Sequence, residues 1–191
     1  MYRIAVTNRH LCEGDFLTRV ARLAEGKYYQ AILLREKDLS EDEYEKLTKE
    51  VLAICQRRGK KCILHSFPGT ALRLGHPYVH MPLPLWESLK DEEKNRLQQH
   101  MIEIGTSIHS MEQLRQAEAL GASYVMAGHI FATDSKKGIE PRGLDFLSAI
   151  CQASNLPVYG IGGIHPGNEK QVMEMGASGV CMMSSCMKED Q

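Results

Sequence analysis

The segment Ala31-Ile32-Leu33-Leu34 is a continuous apolar block, of the kind found in strands that are buried on both faces. Further along, Ser40 precedes Glu41-Asp42-Glu43, as an N-cap precedes an acidic first helical turn. Apolar residues recur at helical spacing until Gly59, and a second apolar run, Lys61–His65, then begins. A strand, a helix and another strand therefore follow one another, which predicts a βαβ unit with parallel strands.

The same unit recurs along the whole chain, with a repeat of roughly 20–25 residues that is typical of (β/α) barrels. The predicted strands are Arg3–Asn8, Gln30–Arg35, Lys61–His65, Tyr78–Met81, Glu103–Ile108, Ser123–His129, Pro157–Ile161 and Gly179–Met183. Seven helical segments lie between them, and few residues remain for a last helix. We predict a single TIM-barrel domain over residues 1–191 with a short or missing last helix. An open doubly wound sheet is the alternative, but closure removes both sheet edges.

Composition narrows the class of protein. The chain has 191 residues, of which 43% are hydrophobic, and this is enough for one core. A net charge of -1 gives no basic excess for nucleic acid. No apolar run reaches the length of a membrane span, and the first residues are too short an apolar run for a signal peptide. The six cysteines include no C-x-x-C pair, so neither zinc nor redox motifs are expected. We expect a cytoplasmic protein.

In a barrel of this type, function lies at the carboxyl ends of the strands. Gly162-Gly163 follows predicted strand seven and Ser184-Ser185 follows strand eight, which predicts a phosphate site built from backbone N–H groups and hydroxyls. The loop after strand six begins at His129, a side chain suited to proton transfer near neutral pH. The residues that we predict to bind substrate at the other strand ends are Arg35, Lys37, Ser107, Thr133 and Lys136.

Four histidines, His65, His80, His109 and His129, also stand at strand ends and raise the question of a metal. No carboxylate lies at metal-ligand spacing beside them, so we predict no metal site. The other histidines are interpreted as surface or structural residues, and they are His10, His76, His100 and His165.

Several motifs occur together in one order: Leu34-Arg35-Glu36-Lys37-Asp38, Gly105–Ser110, Gly128–Thr133, Lys136-Lys137-Gly138 and Ile161–Ile164. In this combination the chain resembles the thiamine phosphate synthase/TenI superfamily. The resemblance implies a TIM barrel that acts on phosphorylated thiazoles. In the synthase branch, magnesium helps to join a pyrimidine pyrophosphate to a thiazole phosphate.

The chain departs from the synthase pattern at its magnesium residues. The synthase has Asn-Asp at the end of strand three and Asp after strand four, whereas this chain has His65-Ser66 and Met81–Leu85. It also has Leu33 where the synthase usually has Gln, and His129 where the synthase has Pro. His129 resembles the catalytic histidine of the TenI thiazole tautomerases, which aromatise a carboxythiazole phosphate. The resemblance therefore implies an isomerase that needs no cofactor.

Three alternatives stay open. The first is thiamine phosphate synthase, the one reading that would require magnesium. The second is a non-catalytic protein that binds phosphorylated ligands. The third is a Schiff-base lyase that uses Lys136 or Lys137, although both lysines lie in a polar loop. A homodimer is also expected, because the shortened last helix leaves part of the barrel to be covered.

Overall fold

A computed structural model describes residues 1–188, and residues 189–191 of the predicted domain lie outside the described part. Eight parallel strands form a closed barrel in chain order. β8 pairs with β1 through Tyr2↔Gly179 and Ile4↔Cys181 and so closes the barrel. The strands are β1 (Tyr2–Val6), β2 (Ala31–Leu34), β3 (Lys61–His65), β4 (Tyr78–Pro82), β5 (Glu103–Ile108), β6 (Tyr124–Gly128), β7 (Val158–Ile161) and β8 (Gly179–Met182). The predicted (β/α)8 fold is confirmed, and no open sheet forms.

Helices connect the strands on the outside of the barrel. They are α1 (Phe16–Glu25), α2 (Glu41–Arg57), α3 (Pro68–Arg73), α4 (Leu83–Ser88), α5 (Asp91–His100), α6 (Met111–Ala119), α7 (Gly143–Ala153), α8 (Glu169–Glu174) and α9 (Ser184–Met187). Two 3-10 turns, Arg9–Leu11 and Asp134–Lys136, lie in loops. None of the helices within residues 1–188 combines the length and apolar character needed to cross a membrane.

The ends of α2 form as the sequence predicted. The Ser40 side chain accepts a hydrogen bond from the Glu43 N–H, and the Glu43 carboxylate accepts one from the Ser40 N–H at 2.9 Å. This reciprocal pair satisfies two backbone donors that the first helical turn leaves free. α9 has only four residues, which confirms the prediction of a short last helix. The homodimer that its shortness suggested stays a prediction.

The helix α4 was not predicted. Its sequence begins Leu83-Pro84 directly after Pro82, a density of proline that looks like a loop. Proline is tolerated in the first helical turn, where the missing N–H has no intrahelical acceptor. Burial of Leu83 and Trp86 then stabilises the short helix, and the predicted polar helix Ser88–His100 begins later, at Asp91.

The strands have two buried faces. Ala31 and Leu33 of β2 point into the barrel and pack in an interior cluster with Ile4, Tyr124 and Met126. Their neighbours in β2, at positions 32 and 34, belong to the layer between strands and helices. Because side chains alternate along a strand, a continuous apolar block supplies both layers.

Candidate active site

One cavity of about 750 Å³ opens at the carboxyl ends of the strands. It is the position at which barrels of this type bind ligands. All ten residues that the sequence analysis predicted for catalysis or binding line it, and they are Arg35, Lys37, Ser107, His129, Thr133, Lys136, Gly162, Gly163, Ser184 and Ser185. The fold therefore brings these residues to one place, while their roles stay predictions. Lys137, the other lysine of the Schiff-base alternative, does not line the cavity.

Gly162 and Gly163 both adopt left-handed backbone conformations, with φ of 102° and 66°. An added Cβ on Gly162 would lie 2.3 Å from the Cβ of His129, and one on Gly163 would lie 2.5 Å from the carbonyl oxygen of Ala132. The loop after β6 thus packs directly on these glycines. A side chain at either position would therefore displace that loop.

The serines after β8 differ in their contacts. Both belong to the first turn of α9, where backbone N–H groups have no intrahelical acceptor. The Ser185 hydroxyl donates to the Ile164 carbonyl at 3.3 Å and so ties α9 to the end of β7. Ser184 makes no side-chain hydrogen bond within residues 1–188, so its hydroxyl can serve a ligand.

His129 is buried, with 5% of its surface exposed, yet it borders the cavity. Its Nε2 lies 3.3 Å from the carbonyl oxygen of Ile139. A carbonyl oxygen can only accept, so Nε2 carries the hydrogen and Nδ1 carries the lone pair. The backbone around the ring is held by hydrogen bonds from Arg142 N–H to the His129 carbonyl and from Ile130 N–H to the Ile161 carbonyl. These contacts fix the imidazole at the border of the cavity.

Three cations line the cavity without a carboxylate partner. Arg35, Lys37 and Lys136 form no ion pair among the described residues, and the Arg35 guanidinium contacts only the Met183 sulfur, at 3.9 Å. Burial lowers the pKa of Arg35. The pKa of Lys37 is also lowered, by burial first and then by the charges of Arg35 and Lys136. The carboxylate of Glu36 partly offsets the charge of Arg35, but the cluster keeps a positive excess, which favours an anionic ligand.

The Glu36 side chain points away from the cavity that its two neighbours, Arg35 and Lys37, line. Its carboxylate is 2% exposed and points into the scaffold, where it accepts hydrogen bonds from the Thr7 hydroxyl at 2.7 Å and the Arg9 N–H at 3.0 Å. The Thr7 hydroxyl oxygen in turn accepts from the Arg35 N–H at 2.9 Å. Leu33 points into the barrel, so strand alternation carried past β2 puts Arg35 on the cavity side and Glu36 on the helix side, while Lys37 lines the cavity from the turn that follows.

The lowered pKa of Lys37 predicts that the affinity for inorganic pyrophosphate falls as pH rises through that pKa. The ammonium is charged below its pKa, and the bound anion stabilises the charged form, so binding is lost on the alkaline side. Lys37→Arg should move this loss to higher pH, because a guanidinium stays charged. Titration calorimetry between pH 7 and 10 measures the effect, with Lys46→Arg on the exposed face of α2 as the control. Identical pH profiles for wild type and Lys37→Arg would contradict the prediction.

Two histidines, His65 at the end of β3 and His80 in the middle of β4, form part of the cavity floor. The rings of His65 and His80 stack with their centroids 5.5 Å apart. Burial lowers the pKa of His80 to about 3, with Lys37 as a second cause. Burial also holds the pKa of His65 well below its ordinary value, with His80 and the nearby cations adding to the effect. Both imidazoles are therefore neutral at pH 7. The sequence analysis placed both at strand ends and gave them no role; this is confirmed for His65, whereas His80 lies in the middle of β4 because that strand continues to Pro82.

Acidic groups are scarce in the cavity. Asp134, in the loop after β6, is the one carboxylate among its lining residues. No group of three or more His, Cys, Asp or Glu side chains within residues 1–188 is arranged to hold a metal ion. His165, interpreted from the sequence as a surface or structural residue, is exposed and also borders the cavity. The lining is thus cationic and imidazole-rich.

The sequence model of one family, described as thiamine monophosphate synthase, matches residues 3–186. The chain belongs to this family. The "Thiamine-phosphate synthase" of Syntrophomonas wolfei is 30% identical, with 95% of this chain and 86% of that protein covered. The "Putative thiamine-phosphate synthase 2" of Aquifex aeolicus is 31% identical, with 94% of both chains covered. A solved structure, thiamine phosphate pyrophosphorylase from Pyrococcus furiosus, superposes with a TM-score of 0.83 at 27% identity, and covers 99% of this chain and 89% of its own.

These similarities confirm the superfamily that the motifs indicated, a family of thiamine biosynthesis. They do not single out its tautomerase branch. The relatives named above carry the name of the synthase or its pyrophosphorylase synonym, which fits the alternative function of the sequence analysis better than the main one.

Proposed function

We propose that this protein is a thiazole tautomerase, which aromatises a carboxythiazole phosphate by moving a proton through His129. The observation that carries the proposal is the chemistry of the cavity floor. His65 ends β3, where the synthase pattern has Asn-Asp, and it stacks on His80 in the middle of β4; both imidazoles are neutral, and no carboxylate follows β4 where the synthase pattern has Asp. His129, the proposed proton carrier, borders the same cavity. The synthase names of the relatives support the shared pathway only.

Magnesium does not fit this donor set. Mg²⁺ prefers oxygen ligands in octahedral geometry and is commonly held by one or two carboxylates together with substrate phosphates. The only carboxylate among the described residues that line the cavity is Asp134, on the exposed rim, and the end of β3 and the middle of β4 offer imidazole nitrogens. A diphosphate chemistry that depends on Mg²⁺ therefore lacks its protein ligands in this cavity.

The proposed mechanism needs two anion contacts and one proton carrier. The substrate phosphate lies at Gly162-Gly163 and Ser184-Ser185, where backbone N–H groups and a hydroxyl donate to it. The substrate carboxylate lies against the cations Arg35, Lys37 and Lys136, with Ser107 and Thr133 as further donors. This arrangement places the thiazole ring between the two anion contacts and beside His129.

Proton transfer then proceeds in two steps. Nδ1 of His129 removes a proton from a ring carbon, and the electron pair moves to the exocyclic carbon as the ring becomes conjugated. The imidazolium, held at Nε2 by the Ile139 carbonyl, returns the proton to the exocyclic carbon. Negative charge that develops on the substrate is stabilised by the three cations. One proton leaves and one returns, so the reaction is an isomerisation.

The second candidate is thiamine phosphate synthase. The observation in its favour is that the relatives reported above are named as this synthase or as thiamine phosphate pyrophosphorylase. The synthase needs a pyrimidine pyrophosphate to bind beside the thiazole phosphate. The cation cluster Arg35, Lys37 and Lys136 could receive such a diphosphate. The missing carboxylates at the ends of β3 and β4 weigh against turnover.

Two assays on the same preparation separate the candidates. In one, carboxythiazole phosphate is incubated in D₂O with excess EDTA, and deuterium incorporation and aromatic product are followed by NMR. In the other, pyrimidine pyrophosphate and thiazole phosphate are incubated with Mg²⁺. We expect tautomerase turnover that is unchanged by EDTA, and no thiamine phosphate. Thiamine phosphate formation without tautomerase turnover would assign the synthase, and binding without either product would assign a ligand-binding protein.

A further inference from the structure

A buried hydrogen-bonded chain leads from the barrel interior to the cavity. Nδ1 of His80 lies 3.2 Å from the Tyr124 hydroxyl, and Nε2 of His80 lies 2.8 Å from the Ser107 hydroxyl. His80 is fully buried and Tyr124 is 4% exposed, whereas Ser107 is half-buried and lines the cavity. A chain of three side chains, on β6, β4 and β5 in that order, thus connects the barrel interior to the cavity.

The direction of the donors in this chain follows from Tyr124. Its hydroxyl is enclosed, and His80 Nδ1 is the hydrogen-bond partner that the described residues offer it. If Tyr124 accepted from His80, its own hydrogen would be buried without an acceptor, which costs about 1–3 kcal/mol. Donation from Tyr124 to Nδ1 avoids this cost. A neutral imidazole that accepts at Nδ1 carries its hydrogen at Nε2 and must donate it to the Ser107 oxygen.

The sequence makes room for this chain at Gly105. A Cβ on Gly105 would lie 2.0 Å from the ring carbon of Tyr124 that bears the hydroxyl. Gly105 and Ser107 stand two positions apart on β5, so they face the same side of the strand. The absence of a side chain at position 105 allows the phenol to reach His80, and His80 then reaches the hydroxyl at position 107.

We propose that Tyr124 and His80 are positioning residues. They orient the Ser107 hydroxyl so that it donates its hydrogen bond to an anionic oxygen of the ligand. Ser107 receives a hydrogen from His80, so its own hydrogen turns toward the cavity. Without the hydrogen bond from His80, the Ser107 hydroxyl would donate to the imidazole in some molecules and to the ligand in others. The identification of that oxygen as part of the substrate carboxylate rests on the proposed function. The direction in which Ser107 donates rests on the chain of hydrogen bonds alone.

The ionisation of His80 agrees with this chain. Burial and the nearby charge of Lys37 keep the imidazole neutral at pH 7, with a pKa of about 3. A neutral ring has one donor and one acceptor nitrogen, which a directional chain requires. A charged ring would donate from both nitrogens and would force the Tyr124 hydroxyl to act as an acceptor.

The first test measures the tautomer of His80 by ¹⁵N NMR of histidine-labelled protein without ligand. Comparison with His80→Gln identifies the two ring nitrogens. We expect protonated Nε2 and unprotonated Nδ1 in the wild type. In Tyr124→Phe, Ser107 is free to donate to Nε2, and the preference should shift toward the Nδ1–H form. A wild-type ring protonated at Nδ1 overturns the proposal, whatever reaction the protein catalyses.

The second test is a double-mutant cycle read by the affinity for inorganic pyrophosphate, a probe with anionic oxygens. Loss of a hydrogen bond to a charged oxygen predicts about tenfold weaker binding for Ser107→Ala. Tyr124→Phe should weaken binding about threefold in wild type and leave Ser107→Ala unchanged, because it acts only through that hydroxyl. Additive losses would overturn the proposal.

Tyr159→Phe is the matched control for this cycle. The ring of Tyr159 packs against that of Tyr124 with centroids 5.4 Å apart, but its hydroxyl makes no described hydrogen bond to His80. The Tyr159→Phe substitution removes a hydroxyl from the same aromatic cluster. We expect the pyrophosphate affinity and the His80 tautomer of this variant to be the same as in wild type. A tautomer shift in Tyr159→Phe equal to that in Tyr124→Phe would show that cluster packing, and not the hydrogen bond, sets the ring state.

Discussion

Replacement of His129 by Asn should lower kcat for carboxythiazole phosphate by about 10²–10⁴-fold, the usual contribution of a general acid–base group. Asn keeps a polar side chain near the Ile139 carbonyl but has no group that can take and return a proton at neutral pH. The substitution leaves the proposed phosphate contacts at Gly162-Gly163 and Ser184-Ser185 in place, so the affinity for the substrate should change little. Deuterium exchange in D₂O and titration calorimetry measure the two quantities separately.

His100→Asn is the control for this experiment. His100 ends α5 on the exposed surface, away from the cavity, and its Nδ1 contacts only the Arg96 carbonyl. We expect wild-type kcat for this variant. If His129→Asn turned over substrate at the same rate as His100→Asn, the proton would have to be carried by another group and the proposed mechanism would be wrong.

Gly162→Ala should abolish most turnover and also destabilise the barrel. The new Cβ would lie 2.3 Å from the His129 Cβ and 2.7 Å from its Cα, so His129 must move with its backbone. The φ of 102° adds strain that glycine does not have. Overpacking of this kind costs about 1–3 kcal/mol, with strain in addition. We expect a lower melting temperature, weaker pyrophosphate binding and a kcat reduced by at least about tenfold, since a displacement of about 1 Å can cost 10²-fold.

Gly75→Ala separates the backbone strain from the clash. Gly75 follows α3 with a φ of 61°, and an added Cβ there meets no atom within 4 Å. This control should lower the melting temperature modestly through strain alone and leave kcat unchanged. Wild-type turnover in Gly162→Ala would mean that the loop after β6 can shift without loss of function, which contradicts the fixed position inferred for His129.

The order of the elements could be predicted because each signal is local. Ala31-Ile32-Leu33-Leu34 predicts a strand with two buried faces, and Ser40 with Glu43 predicts the start of α2, from neighbouring residues alone. Once the repeat is recognised, strand-end positions mark the cavity lining, which is why all ten predicted site residues border one cavity. The helix α4 was missed because its prolines resemble a loop until Leu83 and Trp86 are seen to be buried.

The sequence by itself thus determined the barrel, the family and the set of residues around the cavity, since these depend on short-range patterns and on their order. Only the tertiary structure decided that Gly162 packs on His129, that the Glu36 carboxylate bonds to Thr7 and Arg9, and that Tyr124 reaches Ser107 through His80. These contacts join separate strands or loops, and their distances depend on the closure of the whole barrel. No local pattern in the chain encodes which side chains meet after closure.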